Sequence, residues 1–192
     1  MKDKVILTDC DGVLLDWEFS FHEWMKSHGY TLNTDADHEY EVALMYNILP
    51  EEKKRLVKLF NESAAIGHLT PLRDAVKYVK KLYEEHGYVF RVITSLSLDP
   101  YAGQLREKNL REVFGNAIEK VICLDTGADK DEALDKYRGT GCYWIEDKPE
   151  NANCGYARRL KSLLIAHNHN ADYNGPATRV QTWKEIYELI VG

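Results

Sequence analysis

The chain has 192 residues, of which 44% are hydrophobic and 11% aromatic, so it can build a real core and is not expected to be disordered. Its formal net charge of −6, without any block of lysines or arginines, argues against a surface for long nucleic acid and leaves a small phosphorylated ligand open. No targeting peptide and no apolar run of membrane-spanning length is recognisable, so we expect a soluble, cytoplasmic protein with no membrane partner.

The opening segment joins an apolar run to a pair of acids. Residues 5–7 read Val-Ile-Leu and predict a buried strand, which Asp9 and Asp11 follow. Taken alone, Asp11 and Gly12 could form an ordinary turn, with Asp9 as a cap. A strand alternates its faces, however, so the two aspartates start out on the same side. Gly12 then provides the sharp turn that leaves the sheet.

The following stretch, residues 16–62, repeats its apolar residues with helical spacing and contains no good strand pattern, which predicts two or three helices inserted as one block. From Pro71 onward helices and strands alternate, and this order predicts an α/β fold, a Rossmann-like three-layer α/β/α sandwich with a mainly parallel sheet. The predicted strands cover residues 88–94, 120–124, 142–145 and 162–166. The predicted helices cover 71–86, 101–114, 130–137, 151–160 and 182–191.

The four cysteines show no CxxC spacing, and three of them lie in or beside apolar runs that read as strands or strand ends. Buried free thiols in a reducing compartment have this distribution. We therefore expect neither a zinc site nor a disulfide framework. The cysteines are Cys10, Cys123, Cys142 and Cys154.

Polar residues recur at the carboxyl ends of the predicted strands, where open α/β sheets bind their ligands. Each one alone could be a helix cap, a solvated lysine or a surface turn. Together they supply a nucleophile, a proton donor, a hydroxyl and a cation for a phosphate, and acids for a hard cation such as Mg²⁺. The residues are Asp9, Asp11, Thr94, Ser95, Lys130, Glu146 and Asp147.

Four short motifs occur in the order typical of one family. They are D-x-D-G-V at residues 9–13, V-I-T-S at 92–95, Lys130, and W-I-E-D-K-P-E-N at 144–151. With them the chain resembles the haloacid dehalogenase-like (HAD) superfamily of phosphohydrolases. The resemblance covers essentially the whole chain and implies a HAD-like fold with a small helical cap after the first strand.

The resemblance also implies roles for the residues in the motifs. Asp9 would be the nucleophile that forms an aspartyl-phosphate, and Asp11 the acid and base that moves protons. Thr94 or Ser95, with Lys130, would hold the phosphoryl group. Mg²⁺ would be the cofactor, bound by Asp9, the backbone carbonyl of Asp11, and Asp147.

Within the superfamily the chain is similar to the 5'(3')-deoxyribonucleotidases. The likeness rests on the E-D-K-P run at 146–149, the A-H-N-H-N stretch at 166–170 and V-Q-T-W at 180–183. Residues 1–15 and 64–192 would then form the catalytic core and residues 16–63 the cap. That family usually has an aspartate where Glu146 stands, so Glu146 is expected to help orient the metal.

The substrate implied is a small phosphate ester, most often a (deoxy)nucleoside monophosphate, and Trp17 is placed where an aromatic stacks on a nucleobase. Other aromatic residues of the cap are more often core. His167 and His169 are expected in a loop near the site rather than as a zinc pair. The sequence leaves open a phosphatase for sugar phosphates or other metabolites, a non-catalytic phosphate- and Mg²⁺-binding module, and the oligomeric state, a homodimer included.

Overall fold

A computed structural model describes residues 4–33 and 41–192 of the chain. At the centre of this part is a six-stranded sheet in the order β3-β2-β1-β4-β5-β6, and all neighbouring strands are parallel. The predicted parallel sheet is therefore confirmed. The strands are β1 (Val5–Thr8), β2 (Val89–Ser95), β3 (Ile118–Leu124), β4 (Tyr143–Glu146), β5 (Lys161–Ile165) and β6 (Thr178–Val180).

Helices occupy most of the connections between strands in the described residues. The helices are α1 (Trp17–Ser27), α2 (Val42–Met45), α3 (Pro50–Asn61), α4 (Ala75–Glu84), α5 (Pro100–Phe114), α6 (Asp131–Asp135), α7 (Pro149–Ala157) and α8 (Trp183–Val191). Short 3-10 helices cover Ala64–Gly67, Gly115–Ala117 and Asn168–Asn170. None of the helices described is long and apolar enough to cross a membrane.

The central strand β1 packs on both faces, which explains why its first three residues are all apolar. Ile6 belongs to a buried cluster with residues of α4, α5 and α8. Leu7, on the opposite face, packs with Leu134 of α6 and with Trp144 of β4. The alternation of Ile6 and Leu7 between two helix layers confirms the predicted three-layer sandwich.

The largest differences from the sequence predictions concern two elements. Helix α4 begins at Ala75 rather than at Pro71, because the chain before it pairs with the segment after β1: Leu72 donates its backbone N–H to the Leu14 carbonyl at 2.9 Å. Strand β6 was not predicted. It is a three-residue edge strand beside β5 that contains Arg179, so it lacks the apolar run by which strands are recognised.

The segment between β1 and the Ala64–Gly67 turn contains three helices among its described residues, α1, α2 and α3, which agrees with the two or three predicted. We call it the α1–α3 block. Aromatic packing organises this block. The ring centroid of Phe21 lies 5.3 Å from that of Phe60, in a T-shaped contact, and 4.7 Å from that of Trp17, in a stacked contact. Asp16 caps α1 by accepting a hydrogen bond from the Phe19 N–H at 3.1 Å.

Candidate active site

The site begins where β1 ends, at the edge of the sheet that holds the carboxyl ends of all strands. Asp9 continues the pairing of β1 with β4 by donating its N–H to the Ile145 carbonyl at 2.8 Å. Its carboxylate is buried and accepts a hydrogen bond from the Cys10 N–H at 2.7 Å. Asp9 is therefore held through its backbone by β4 and through its side chain by the N–H of the next residue.

Lys130, immediately before α6, is the cation of the site. It is buried, and its Nζ lies 2.7 Å from Oδ2 of Asp9 and 2.8 Å from Oε2 of Glu146. Burial alone would lower the pKa of Lys130, but these two carboxylates raise it above its ordinary value. Lys130 therefore stays charged and balances the acids around it.

Glu146, at the end of β4, is completely buried. Beyond Lys130, its Oε1 accepts hydrogen bonds from the Lys148 N–H at 3.3 Å and the Asn151 side chain at 3.1 Å. Burial, reinforced by the charge of Asp9, raises the pKa of Glu146 well above its ordinary value. Both carboxyl oxygens of Glu146 are thus used to hold neighbours, which places it as a support for Lys130.

Asp147, the next residue, is held by the segment that follows β5. Its Oδ2 is 3.4 Å from Nε2 of His169, and its backbone carbonyl accepts a hydrogen bond from the Asn170 side chain at 2.8 Å. Burial would raise the pKa of Asp147, but the hydrogen bond and charge of His169 hold it below its ordinary value. The carboxylate therefore remains ionised at the centre of the site.

The turn after Asp11 is held from the C-terminal part of the chain. His167 Nε2 lies 2.6 Å from the Gly12 carbonyl, and the Trp183 indole N–H donates to the Val13 carbonyl at 2.8 Å. The rings of His167 and His169 stack at 5.3 Å. The loop that contains His167 and His169 thus lies beside Asp147, in agreement with the predicted loop near the site.

Gly12 is required by this geometry for two reasons. Its φ is +71°, a left-handed conformation that favours glycine. A Cβ at this position would also lie only 2.6 Å from Oδ2 of Asp147. The glycine therefore lets the first acidic motif approach the fourth one closely.

The acids can hold a metal ion. Among the described residues, one carboxylate oxygen each from Asp9, Glu146 and Asp147 lie within 4.8 Å of one another. Oδ1 of Asp147 is buried and has no hydrogen-bond partner in the described part of the chain. An all-oxygen donor set with a spare buried oxygen fits a hard divalent cation such as Mg²⁺. Of the predicted ligand side chains, the structure brings Asp9 and Asp147 together.

The two hydroxyls after β2 differ in their surroundings. Oγ1 of Thr94 is buried and has no hydrogen-bond partner among residues 4–33 and 41–192. The Ser95 hydroxyl donates to the Ala128 carbonyl at 2.8 Å. Thr94 is accordingly the hydroxyl left without a hydrogen bond within the described residues, while Ser95 ties the end of β2 to the loop before Lys130.

Asp11 does not join the metal cluster through its side chain. Its carboxylate faces Arg106 of α5, which contacts both oxygens. Burial and the charge of Asp9 raise the pKa of Asp11, and the Arg106 guanidinium works in the opposite direction. Asp11 is 24% exposed at its side chain, so it remains reachable from outside.

Sequence reasoning missed Arg106, although a signal was present. Arg106 lies four residues from both Ala102 and Leu110, on the helix face that α5 buries. An arginine at a position where the helical spacing of apolar residues predicts another apolar residue indicates a buried charge. A buried charge needs a partner. In the predicted helix 101–114 it was hidden among several charged residues.

Trp17 packs within the α1–α3 block in this structure. Its ring stacks on Phe21, and the Phe60 ring lies nearly perpendicular to it, with 5.4 Å between the two ring centroids. The indole N–H donates to Asn61 at 2.9 Å, and Asn61 in turn donates to the Leu96 carbonyl just beyond β2 at 3.0 Å. Trp17 is thus connected to the edge of the sheet through a single side chain.

The family model described as "5' nucleotidase, deoxy (Pyrimidine), cytosolic type C protein" matches residues 3–192 of the chain. Among curated proteins, the uncharacterized 32.4 kDa protein in the Gp30-rIII intergenic region of Enterobacteria phage T4 is 26% identical over 193 residues. That alignment covers 94% of this chain and 67% of the phage protein.

Solved structures with the same fold include a conserved haloacid dehalogenase-like protein of unknown function from Agrobacterium tumefaciens, with a TM-score of 0.61 and 12% identity over 98% of this chain and 97% of that one. Another is the D,D-heptose 1,7-bisphosphate phosphatase from Burkholderia thailandensis, with a TM-score of 0.58 and 8% identity over 99% of this chain and 100% of that one. At these identities the likeness establishes the HAD-like fold.

Proposed function

Because the chain belongs to the cytosolic type C deoxy(pyrimidine) 5'-nucleotidase family, and is thus a HAD-type phosphoric monoester hydrolase, we propose a substrate and a mechanism for it. The substrate is a (deoxy)nucleoside monophosphate, and the deoxypyrimidine nucleotides named by the family are the first to test. The reaction proceeds through an aspartyl-phosphate on Asp9, with Mg²⁺ as the cofactor.

The observation that supports this proposal is a pair of unused polar atoms at the carboxyl edge of the sheet. Oγ1 of Thr94 and Oδ1 of Asp147 are buried without partners in the described residues, although burying a polar group unpaired is costly. A phosphoryl oxygen on Thr94 and a cation on Asp147 would satisfy both. Lys130, already against Asp9, supplies the positive charge that a phosphate needs.

In the first step, an oxygen of the Asp9 carboxylate attacks phosphorus, and the bond from phosphorus to the nucleoside oxygen breaks. Asp11 donates a proton to that oxygen as it leaves. Thr94 and Lys130 hold the remaining phosphoryl oxygens during the transfer. The product of this half-reaction is the free nucleoside and an acyl phosphate on Asp9.

In the second step, water attacks the phosphorus of the aspartyl-phosphate and Asp11 accepts its proton. The bond between phosphorus and the Asp9 oxygen breaks, which regenerates the carboxylate and releases phosphate. Asp11 thus returns to the protonation state in which it began.

Asp9, Asp147 and the backbone carbonyl of Asp11 are the groups that would hold Mg²⁺. When bound, the ion supplies charge neutralisation for the phosphate oxygens that approach Asp9. Glu146 keeps Lys130 in place beside Asp9 through its contact of 2.8 Å. Glu146, which replaces the aspartate usual in the family, therefore acts by positioning Lys130.

Residues 16–63 act as the cap and residues 1–15 and 64–192 as the core in this proposal. Two hydrogen bonds join the end of α3 to the loop after β2: Asn61 donates to the Leu96 carbonyl, and Ser97 donates to Glu62 at 2.7 Å. A block attached next to Thr94 is placed to cover a substrate held there. Trp17 is the aromatic of this cap that contacts the base.

The test is a phosphate-release screen of the purified chain with Mg²⁺ on deoxy- and ribonucleoside 2'-, 3'- and 5'-monophosphates, sugar phosphates and p-nitrophenyl phosphate. We expect the highest kcat/KM on deoxypyrimidine monophosphates. A preference for sugar phosphates would reject the substrate. Absence of any release would reject the mechanism.

A further inference from the structure

Arg106 is a completely buried cation beside the proposed proton donor. Its Nη2 donates to Oδ2 of Asp11 at 3.1 Å, and its Nη1 donates to Oδ1 of the same carboxylate and lies 2.8 Å from the Cys10 sulfur. Nε has no hydrogen-bond partner in the described part of the chain. The paired, two-point contact fixes the plane of the carboxylate as well as its position.

A charge at this position is not what packing alone would select. The buried face of α5 also carries Ala102 and Leu110, and an apolar residue between them would avoid the desolvation of a guanidinium. Arg106 is inaccessible whereas Asp11 is partly exposed, so Arg106 reaches the reaction only through Asp11.

We propose that Arg106 is a positioning residue for Asp11, which holds that carboxyl group in the orientation from which it exchanges protons with the leaving oxygen and with water. This inference rests on the proposed function. A carboxyl group offers about four lone-pair positions, and the Arg106 fork occupies two of them, so positions for a proton remain.

The choice of leaving group separates positioning from a structural role. A nucleoside alkoxide needs a proton in order to leave, while p-nitrophenolate leaves without one. The ratio kcat/KM reports the steps up to the first irreversible one, which here is departure of the leaving group. A defect in Asp11 therefore lowers kcat/KM for a nucleotide and spares kcat/KM for p-nitrophenyl phosphate.

The experiment compares the wild type with Arg106→Gln on thymidine 5'-monophosphate and p-nitrophenyl phosphate, both with Mg²⁺. We expect kcat/KM to fall about 100-fold on the nucleotide and by less than about threefold on p-nitrophenyl phosphate. Equal losses on both substrates would overturn the inference and leave the proposed function standing. A wild type inactive on both substrates would reject the proposed function itself, and the inference with it.

Arg158→Gln is the matched control. Arg158 is also buried, lies 2.8 Å from the sulfur of Cys154 and pairs with the exposed carboxylates of Asp131 and Asp135, so it shares the cysteine and carboxylate contacts of Arg106 without a contact to Asp11. We expect its effect, whatever the size, to be the same on both substrates. Selectivity for the nucleotide in this variant would overturn the inference.

Two further variants keep the test valid if Arg106→Gln does not fold. Arg106→Lys keeps the buried charge but loses the fork, and we expect a selective loss of about tenfold on the nucleotide, against none on p-nitrophenyl phosphate. The second variant adds Arg106→Gln to Asp11→Asn, so that no carboxylate is left without its partner. There we expect Arg106→Gln to cause no further fall in kcat/KM on the nucleotide. The inference would be overturned if Arg106→Lys lowered kcat/KM equally on both substrates. It would also be overturned if Arg106→Gln lowered kcat/KM further in the Asp11→Asn background.

Discussion

The carboxyl edge of the sheet and the α1–α3 block are built on opposite principles. At the edge, Lys130 is buried between Asp9 and Glu146, and each charge depends on its neighbours. In the block, the rings of Phe21 and Phe60 pack with 5.3 Å between their centroids. Such packing depends on the apolar area that is buried rather than on pairing of charges. A charge removed from the edge leaves its partner buried and uncompensated, while a ring removed from the block leaves a cavity.

This difference separates chemistry from selectivity. Substitutions of the edge residues that bind or attack the phosphoryl group should act on kcat for every phosphate ester, because all of them present that same group. Substitutions in the block should act on stability and on KM for substrates with a large leaving group. Three substitutions and the addition of Mg²⁺ test this division, from the largest expected effect to the smallest.

The largest effect is expected for Asp9→Asn. The amide still accepts the hydrogen bond from the Cys10 N–H but cannot attack phosphorus, so phosphate release should fall by at least about 10⁴-fold on nucleotides and p-nitrophenyl phosphate alike. Thermal unfolding recorded alongside should show a folded protein. A folded variant that keeps the wild-type rate would remove Asp9 from the role of nucleophile.

The second test is binding of Mg²⁺ itself, followed by thermal unfolding with added MgCl₂ and with EDTA. A cation between Asp9 and Asp147 binds the native state only, so at 100 times its dissociation constant it should add about 2.7 kcal/mol. For a chain of this size that corresponds to a rise in Tm of about 5 to 10 °C. The rise should disappear in Asp147→Asn, and a rise that persists there would place the cation elsewhere.

Much of the edge could be predicted from the sequence because parallel strands deliver their last residues to one place. Asp9, Lys130 and Asp147 lie far apart in the chain, yet each follows a strand, and that rule alone predicts that they meet. Such predictions succeed where local order and topology determine position.

The failures have a different physical origin. Arg106 was overlooked because its partner, Asp11, is remote in sequence, and only tertiary packing makes a polar helix position a buried one. The start of α4 was placed too early because Leu72 pairs with Leu14 instead of opening the helix. In both cases a long-range contact overrode a local pattern, and a single sequence does not reveal such contacts.

A third test, Gly12→Ala, probes how closely the acidic motifs approach. The added Cβ would lie 2.6 Å from Oδ2 of Asp147 and must displace it, so we expect the Mg²⁺ concentration for half-maximal activity to rise about 10- to 100-fold. Gly87→Ala is the matched control: its φ is +70°, close to the +71° of Gly12, but nothing lies within 4 Å of the added Cβ. If both variants show the same Mg²⁺ dependence, backbone strain rather than the contact with Asp147 is responsible.

The smallest effect, and the one that addresses the block directly, is expected for Trp17. If its exposed part stacks on a base, Trp17→Ala should raise KM for thymidine 5'-monophosphate about tenfold and leave KM for p-nitrophenyl phosphate nearly unchanged. Asn61→Ala is the control, because it removes the hydrogen bond of 2.9 Å from the indole without removing the ring. An equal rise in KM for both substrates would assign Trp17 to packing against Phe21 alone, and selectivity would then reside elsewhere in the block.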